Sequence, residues 1–225
     1  LDTIRATLAG GPLAGKHLVV TSGPTHEPID PVRYIANRAS GRQGHAIAAA
    51  LAALGARVTL VSGPVTQPDP PGVTVARVET ARQMLDAVRA ALPADAAVFA
   101  AAVADWHVVN AGDRKLKKDA SGRAPALEFL ETPDILATVA QMAEGRPRLV
   151  VGFAAETGKA IEHGQGKLAR KGCDMIVAND VSVDKMGGEV NRVHIITQKD
   201  VESWDRMDKG AVAEKLAQRI ADALA

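Results

Sequence analysis

The chain holds 225 residues, 47% hydrophobic and 24% charged, a balance that lets one domain bury a core without a metal or disulfide staple. Lys plus Arg (27) and Asp plus Glu (26) nearly cancel, which excludes a global basic field for nucleic acid or an anionic membrane, so any anion site must be local. The single cysteine, Cys173, excludes an internal disulfide, and no apolar run approaches the roughly 18 residues of a membrane span.

Aromatic residues make up only 3%, so the core must be built from Ala, Val, Leu and Ile. The N-terminus lacks a basic stretch followed by an apolar one, the pattern of a secretory signal, and the chain reads as cytoplasmic. Residues 1–15 carry a short helical pattern and then Gly10-Gly11-Pro12, and read as a linker or tail from an upstream domain. Residues 16–225 read as one domain in which strands and helices alternate. Strands are predicted at 17–22, 57–62, 73–78, 96–102, 148–154, 173–178 and 193–198, with a short hairpin partner at 201–206. Helices are predicted at 44–54, closed by Gly55, from Thr80 to Leu92, from Thr132 to about Gly145, at 157–171 and at 211–225. Thr80 and Gln83 have the spacing of a capping box. Thr132-Pro133-Asp134 places a capping Thr before a first-position Pro. Cys173 is expected to be a small core residue on its strand. This order implies an α/β, Rossmann-like three-layer fold with a mostly parallel central sheet, covered on both faces. In such sheets ligands sit at the carboxyl ends of the strands, so the residues just after each strand are the place to search.

Four segments there carry polar or small residues in unusual arrangements. The first runs Thr21-Ser22-Gly23-Pro24-Thr25 and then Asn37-Arg38-Ala39-Ser40-Gly41-Arg42-Gln43-Gly44. Its glycines open a helix, where backbone N–H groups and the helix dipole receive a phosphate. The motif is weak alone, and a purely structural glycine-rich helix start stays open. Residues 24–36 are a long insertion where a dinucleotide turn would span a few residues. The second is Ala100-Ala101-Ala102-Val103-Ala104-Asp105, small enough for a flat base to lie on the backbone, with Asp105 in reach of a ribose hydroxyl or a metal. The third, Arg114-Lys115-Leu116-Lys117-Lys118, sets four cations in five residues within the aperiodic stretch 103–123. Simple solvation and a triphosphate counter-charge both account for it. The fourth is Val151-Gly152-Phe153-Ala154-Ala155-Glu156-Thr157, followed by Lys167 and Lys171 on one helix face. Ala178-Asn179-Asp180-Val181-Ser182 ends the next strand. The second strand ends Val61-Ser62-Gly63-Pro64, without the carboxylate that holds a dinucleotide ribose, and the only tyrosine, Tyr34, has Arg38 four positions on, not Lys. Both argue against a nicotinamide oxidoreductase. A Walker A loop, zinc-ligand spacing and a nucleophile elbow are absent from the sequence. A non-catalytic nucleotide-binding domain remains an alternative.

Taken together these segments, with Asp30-Pro31-Val32-Arg33-Tyr34-Ile35 and Pro133-Asp134-Ile135, resemble the bacterial phosphopantothenate–cysteine ligase family, in order and over nearly the whole chain. The resemblance implies a Rossmann-like domain and a reaction in which CTP and Mg²⁺ activate 4′-phosphopantothenate as an acyl-cytidylate, which L-cysteine then attacks to give phosphopantothenoylcysteine and CMP. It implies that Asn37 holds the intermediate together with Asn179. Lys115 binds the triphosphate and offsets charge on the leaving pyrophosphate. The backbone of Phe99, Ala100 and Ala101 reads cytosine. Gly41, Asp105, Pro133, Asp134, Ile135, Leu136, Phe153, Lys167 and Lys171 line the nucleotide site, and Asp105 is the candidate metal ligand. It further implies a homodimer in which part of one subunit covers the other's site, with 24–36 and 103–123 as the candidate segments. The family's flavin-dependent decarboxylase half does not appear in this sequence, so no flavin is expected in this chain.

Overall fold

The computed structural model describes residues 10–118, 120–180 and 190–225. In chain order the described elements are β1 (His17–Ser22), β2 (His26–Asp30), β3 (Arg33–Ala36), α1 (Arg42–Ala53), β4 (Arg57–Ser62), β5 (Val73–Arg77), α2 (Ala81–Ala91), β6 (Ala96–Phe99), β7 (Trp106–Val108), β8 (Phe129–Glu131), α3 (Ile135–Ala140), β9 (Leu149–Glu156), α4 (Ala160–Lys171), β10 (Met175–Asp180), β11 (Val190–Asn191), β12 (Val193–Thr197), β13 (Val201–Ser203), β14 (Met207–Asp208) and α5 (Lys209–Leu224).

The central sheet runs β13-β12-β10-β9-β6-β1-β4-β5. From β10 to β5 every pairing is parallel, and β12 and β13 close one edge as an antiparallel hairpin. The α/β three-layer expectation is borne out. Side chains alternate across a strand, and here both faces are covered. Leu18, Val20, Leu149, Val151, Met175 and Val177 pack with α1 and α5 on one face, while Val19, Val150 and Ile176 pack with α2, α3 and α4 on the other. That double burial is why the strands read as continuous apolar runs. Helix α2 buries Ala81, Met84, Leu85 and Val88, the i, i+3, i+4, i+7 stripe, and its predicted capping box is present: Thr80 accepts from Gln83 N–H while the Gln83 side chain accepts from the Thr80 N–H. No helix among the described residues is long and apolar enough to cross a membrane.

Several expectations need correction. The helical pattern at 1–9 lies outside the described residues, but the tail expected to run to residue 15 does not: Leu13 is fully buried, and its N–H donates to the Leu54 carbonyl. The insertion at 24–36 is the hairpin β2–β3, and β7 and β8 pair across the stretch expected to be aperiodic. Strand β6 ends at Phe99, beyond which the chain still runs beside the β1 extension through a Pro24–Ala102 bridge. Asp134, not Thr132, caps α3, because the Thr132 hydroxyl is engaged with the Ala104 carbonyl. That helix stops at Ala140 rather than near Gly145. Helix α4 starts three residues later than expected, after Gly158 and Lys159 take left-handed conformations. Cys173 lies just before β10 rather than on it; it is buried in the core, and burial pushes its thiol up to about 11.

Candidate active site

Strand order reverses at the centre of the sheet. From β1 the chain steps outward through β4 and β5 on one side, and through β6, β9 and β10 on the other. The carboxyl ends of β1 and β6 therefore diverge and leave a crevice, the place where open α/β sheets bind ligands. A cavity of about 810 Å³ occupies it.

Its floor is backbone. Past β6, the N–H groups of Ala100 and Ala102 donate to the carbonyls of Thr21 and Gly23, and Ala101 N–H donates to the Thr21 hydroxyl. Thr25 accepts from Ala104 N–H at 3.0 Å, and Thr132 ties the same segment from the other side through Thr132 N–H to the Asp105 carbonyl. The turn Gly23-Pro24-Thr25 is thus a bracket that holds residues 100–105 against the sheet. Small side chains at 100–102 leave that backbone open to the cavity.

One wall is the start of α1. Gly41 occupies its cap position with φ 74°, a left-handed conformation that glycine adopts without strain, and no side chain caps the helix nor does an acidic residue sit in its first turn. The orphan N–H groups therefore stay available to a ligand. A Cβ at Gly44 would lie 2.4 Å from Ser22 Oγ and 2.5 Å from its Cβ, so the glycine lets the helix start close on the end of β1. Beneath it, His45 is buried with Nδ1 3.0 Å from the Gly41 carbonyl and 2.9 Å from Ser22 Oγ, contacts that an Nδ1–H imidazole satisfies. Burial holds His45 below the usual histidine range, so no extra cation sits under the helix start at neutral pH.

The opposite wall comes from α3, β9 and α4. Lys167 donates to the Phe153 carbonyl at 2.7 Å, and Lys171 pairs with Asp134, which also accepts from Ala137 N–H. Burial, then the charge of Lys171, holds the Lys167 ammonium below the usual lysine range. Burial opposes ionisation of Asp134, but the Lys171 ammonium and the Ala137 N–H together hold its carboxyl low. Asn37 stands at the rim, with Nδ2 donating to the Val103 carbonyl at 2.9 Å.

Of the residues singled out from sequence, Asn37, Gly41, Phe99, Ala100, Ala101, Asp105, Pro133, Asp134, Ile135, Leu136, Phe153, Lys167, Lys171 and Asn179 all line this one cavity. Val181 and Ser182 lie outside the described residues. Lys115 is the exception. It is exposed and does not line the cavity of its own chain. The neighbouring Leu116 is fastened to the turn of the β2–β3 hairpin: its N–H donates to Asp30, and its carbonyl accepts from Arg33. Arg33 also binds Asp30 through Nε at 3.0 Å; this guanidinium and the N–H groups of Val32, Leu116 and Arg33 hold the Asp30 carboxyl well below the usual range. Cavity residues that were not singled out as contacts include Arg42, Gln43, Trp106, Glu131, Asn191 and Lys209. Arg42 and Gln43 were visible as neighbours of Gly41. Lys209 was hidden because α5 was expected to begin two residues later.

The model of the DNA/pantothenate metabolism flavoprotein C-terminal domain family matches residues 13–224. The chain belongs to that family. The resemblance carried by the eight motif blocks is borne out. Among similar proteins, the coenzyme A biosynthesis bifunctional protein CoaBC of Vibrio parahaemolyticus is 47% identical over 180 residues, covering 80% of this chain and 45% of that protein. The CoaBC of Escherichia coli is 46% identical over 189 residues, 81% of this chain and 46% of that one. The chain thus spans less than half the length of these relatives. The crystal structure of a CoaBC C-terminal domain superimposes with a TM-score of 0.79 at 36% identity, covering 95% of this chain and 98% of that one.

Proposed function

We propose that this domain joins 4′-phosphopantothenate to L-cysteine at the expense of CTP, through an acyl-cytidylate. The observation that carries the reading is the convergence of fourteen motif residues, drawn from nearly the whole chain, on one cavity at the sheet's switch point. Membership of the family supports it.

In this reading cytosine lies against the backbone of residues 99–101, between Phe153 and the 133–136 segment, with its phosphates toward the Gly41 helix start. The phosphopantothenate carboxylate attacks the α-phosphorus, the bond to the β-phosphate breaks, and pyrophosphate leaves. The cysteine amine then attacks the acyl carbon, CMP leaves with the bonding electron pair, and the amine proton passes to solvent. No protein nucleophile is required. The chain lowers the barrier by placing carboxylate and phosphorus in line and by offsetting charge on the phosphates. Asn37 and Asn179 hold the intermediate by amide hydrogen bonds. Lys167 and Lys171 supply fixed positive charge.

Mg²⁺ typically takes one or two carboxylates plus substrate phosphate oxygens. Asp105, exposed at the cavity rim, fits that mode, while no cluster of three or more His, Cys, Asp or Glu among the described residues forms a cage on its own. When bound, the ion would screen the phosphate charges.

The reading assigns Lys115 to the triphosphate, and from outside its own cavity that role requires a second copy. Val32 and Tyr34 on the first hairpin, and Trp106, Val109, Phe129 and Leu130 on or beside the second, are each more than half exposed. β2 and β7 are in contact, which brings the two hairpins together, and Leu116 fastens the Lys115 loop to the turn of the first. Apolar exposure on that scale suits a homodimer interface.

The test measures phosphopantothenate-dependent pyrophosphate release from CTP and formation of phosphopantothenoylcysteine. The unsubstituted chain is expected to do both. Asn37→Asp puts a carboxylate against the intermediate's phosphate, and is expected to release pyrophosphate while losing product by at least about a hundredfold, the effect of removing one oriented amide donor. Lys115→Gln is expected to slow the pyrophosphate-releasing step. Mixing the two impaired variants is expected to raise product formation above that of either alone, because hybrid dimers contain one intact site. No pyrophosphate release from any nucleoside triphosphate would overturn the ligase reading; no recovery on mixing would overturn the shared site.

A further inference from the structure

At the cavity wall formed by the start of α1, α1 and α5 begin side by side. Gln43 Nε2 donates to the Lys209 carbonyl at 3.2 Å and fastens the two helix starts together. The α5 start is capped by its own Asp208, whose carboxylate accepts from Ala211 N–H, so its backbone is not open. The α1 start is open. Arg42 and Lys209 both line the cavity here, and no carboxylate among the described residues stands within ion-pair distance of the Lys209 ammonium. Instead burial, then the charge of Arg42, presses the Lys209 pKa down. Asn191 completes the wall. It is 8% exposed, it lines the cavity, and its side-chain amide has no hydrogen-bond partner among the described residues. A half-buried ammonium with no carboxylate partner among the described residues, at an uncapped helix start and beside a buried amide with donors to give, is complementary to a compact polyanion.

We infer that Lys209, with Arg42 and Asn191, forms the subsite for the terminal phosphates of the nucleotide and for the pyrophosphate that leaves. This rests on the nucleotide reading above and extends it to residues from the C-terminal helix. With the base over residues 99–101 and beside Phe153, the triphosphate runs toward α1, and its β and γ phosphates arrive between Arg42 and Lys209. When the bond between the α-phosphorus and the bridging oxygen breaks, both electrons pass to that oxygen, and the added charge falls where the two cations converge. The Lys209 side chain is half-buried beforehand, so its ammonium is less screened by water than that of a fully exposed lysine.

The experiment titrates CTP, CMP, 4′-phosphopantothenate and inorganic pyrophosphate into the unsubstituted chain, Lys209→Gln and Lys209→Arg. Lys209→Gln is expected to weaken CTP and pyrophosphate by about tenfold or more, the loss of one charge-assisted hydrogen bond. CMP and phosphopantothenate should change by less than about twofold, and Lys209→Arg should recover most of the loss. Equal weakening of CMP and CTP would overturn the subsite, as would a loss confined to phosphopantothenate or no change at all. Pyrophosphate separates the two levels of the proposal. If the unsubstituted chain binds pyrophosphate in a Lys209-dependent way but neither CTP nor CMP, the anion subsite stands and the nucleotide reading fails.

Discussion

Gly63→Ala is expected to cost about 3 kcal/mol of stability, the upper part of the range for overpacking a close contact. An added Cβ would lie 1.8 Å from the Pro24 carbonyl oxygen and 2.9 Å from its carbon, both backbone atoms with no rotamer to yield. Gly63 N–H donates to the Ser22 carbonyl, so the end of β4 is locked to the end of β1 at this point. Something must therefore move, and what moves is the Gly23-Pro24-Thr25 bracket that holds residues 100–105 under the cavity. Catalysis should fall further than stability alone predicts, because the backbone of residues 99–101, proposed to read the base, shifts with the bracket. Chemical denaturation and turnover, measured below the transition, check this. A variant with unchanged midpoint and activity would mean that the bracket tolerates displacement and does not set the floor of the site.

Lys167→Met is expected to lower CTP affinity by about a hundredfold while leaving stability within about 1 kcal/mol of the original. The substitution keeps the aliphatic stem and removes a half-buried ammonium whose charge is already disfavoured by burial and by Lys171. What is lost is a hydrogen bond to the Phe153 carbonyl and, on the proposed function, a cation facing the nucleotide. The two losses oppose the relief from desolvation in stability, but not in binding. A pH signature accompanies this. The folded-state pKa of Lys167 lies below its ordinary value of 10.5, so between those two values the unfolded chain holds the extra proton. Stability contributed by this group therefore rises with pH across that window. The rise should be present in the unsubstituted chain and missing from Lys167→Met when melting temperatures are compared from neutral to alkaline pH. An unchanged slope would mean that Lys167 titrates as a solvated lysine.

The parts of the fold that sequence made legible are those where one physical rule dominates. β1 and β4 are apolar on both faces and end in Gly-Pro, and their bounds were readable to the residue. Helix α2 announced itself through its capping box and its stripe. The β2–β3 hairpin was hidden because its pattern is inverted. Glu27 and Asp30 are buried while Val32 and Tyr34 are exposed, and Pro28 interrupts it. The buried carboxylates are stable there because Glu27 accepts from Ala81 N–H at the start of α2, and Asp30 from Arg33 and three backbone donors. Nothing local announces partners fifty residues away. The start of α3 was misplaced for a related reason: Thr132 has the chemistry of a cap, yet its hydroxyl serves the Ala104 carbonyl instead. In the site, residues just past strand ends were legible because topology sends them to one rim. Lys209 and Asn191 were not, since they reach that rim from the C-terminal helix and a two-residue strand, which leave little periodic trace.

The most direct measurement is a crystal structure of this chain soaked with CTP and Mg²⁺. The base should lie on the backbone of residues 99–101 beside Phe153, with the phosphates crossing the Gly41 helix start toward Lys209. Density for the nucleotide anywhere outside the cavity between β1 and β6, or with its phosphates turned away from α1, would contradict the account.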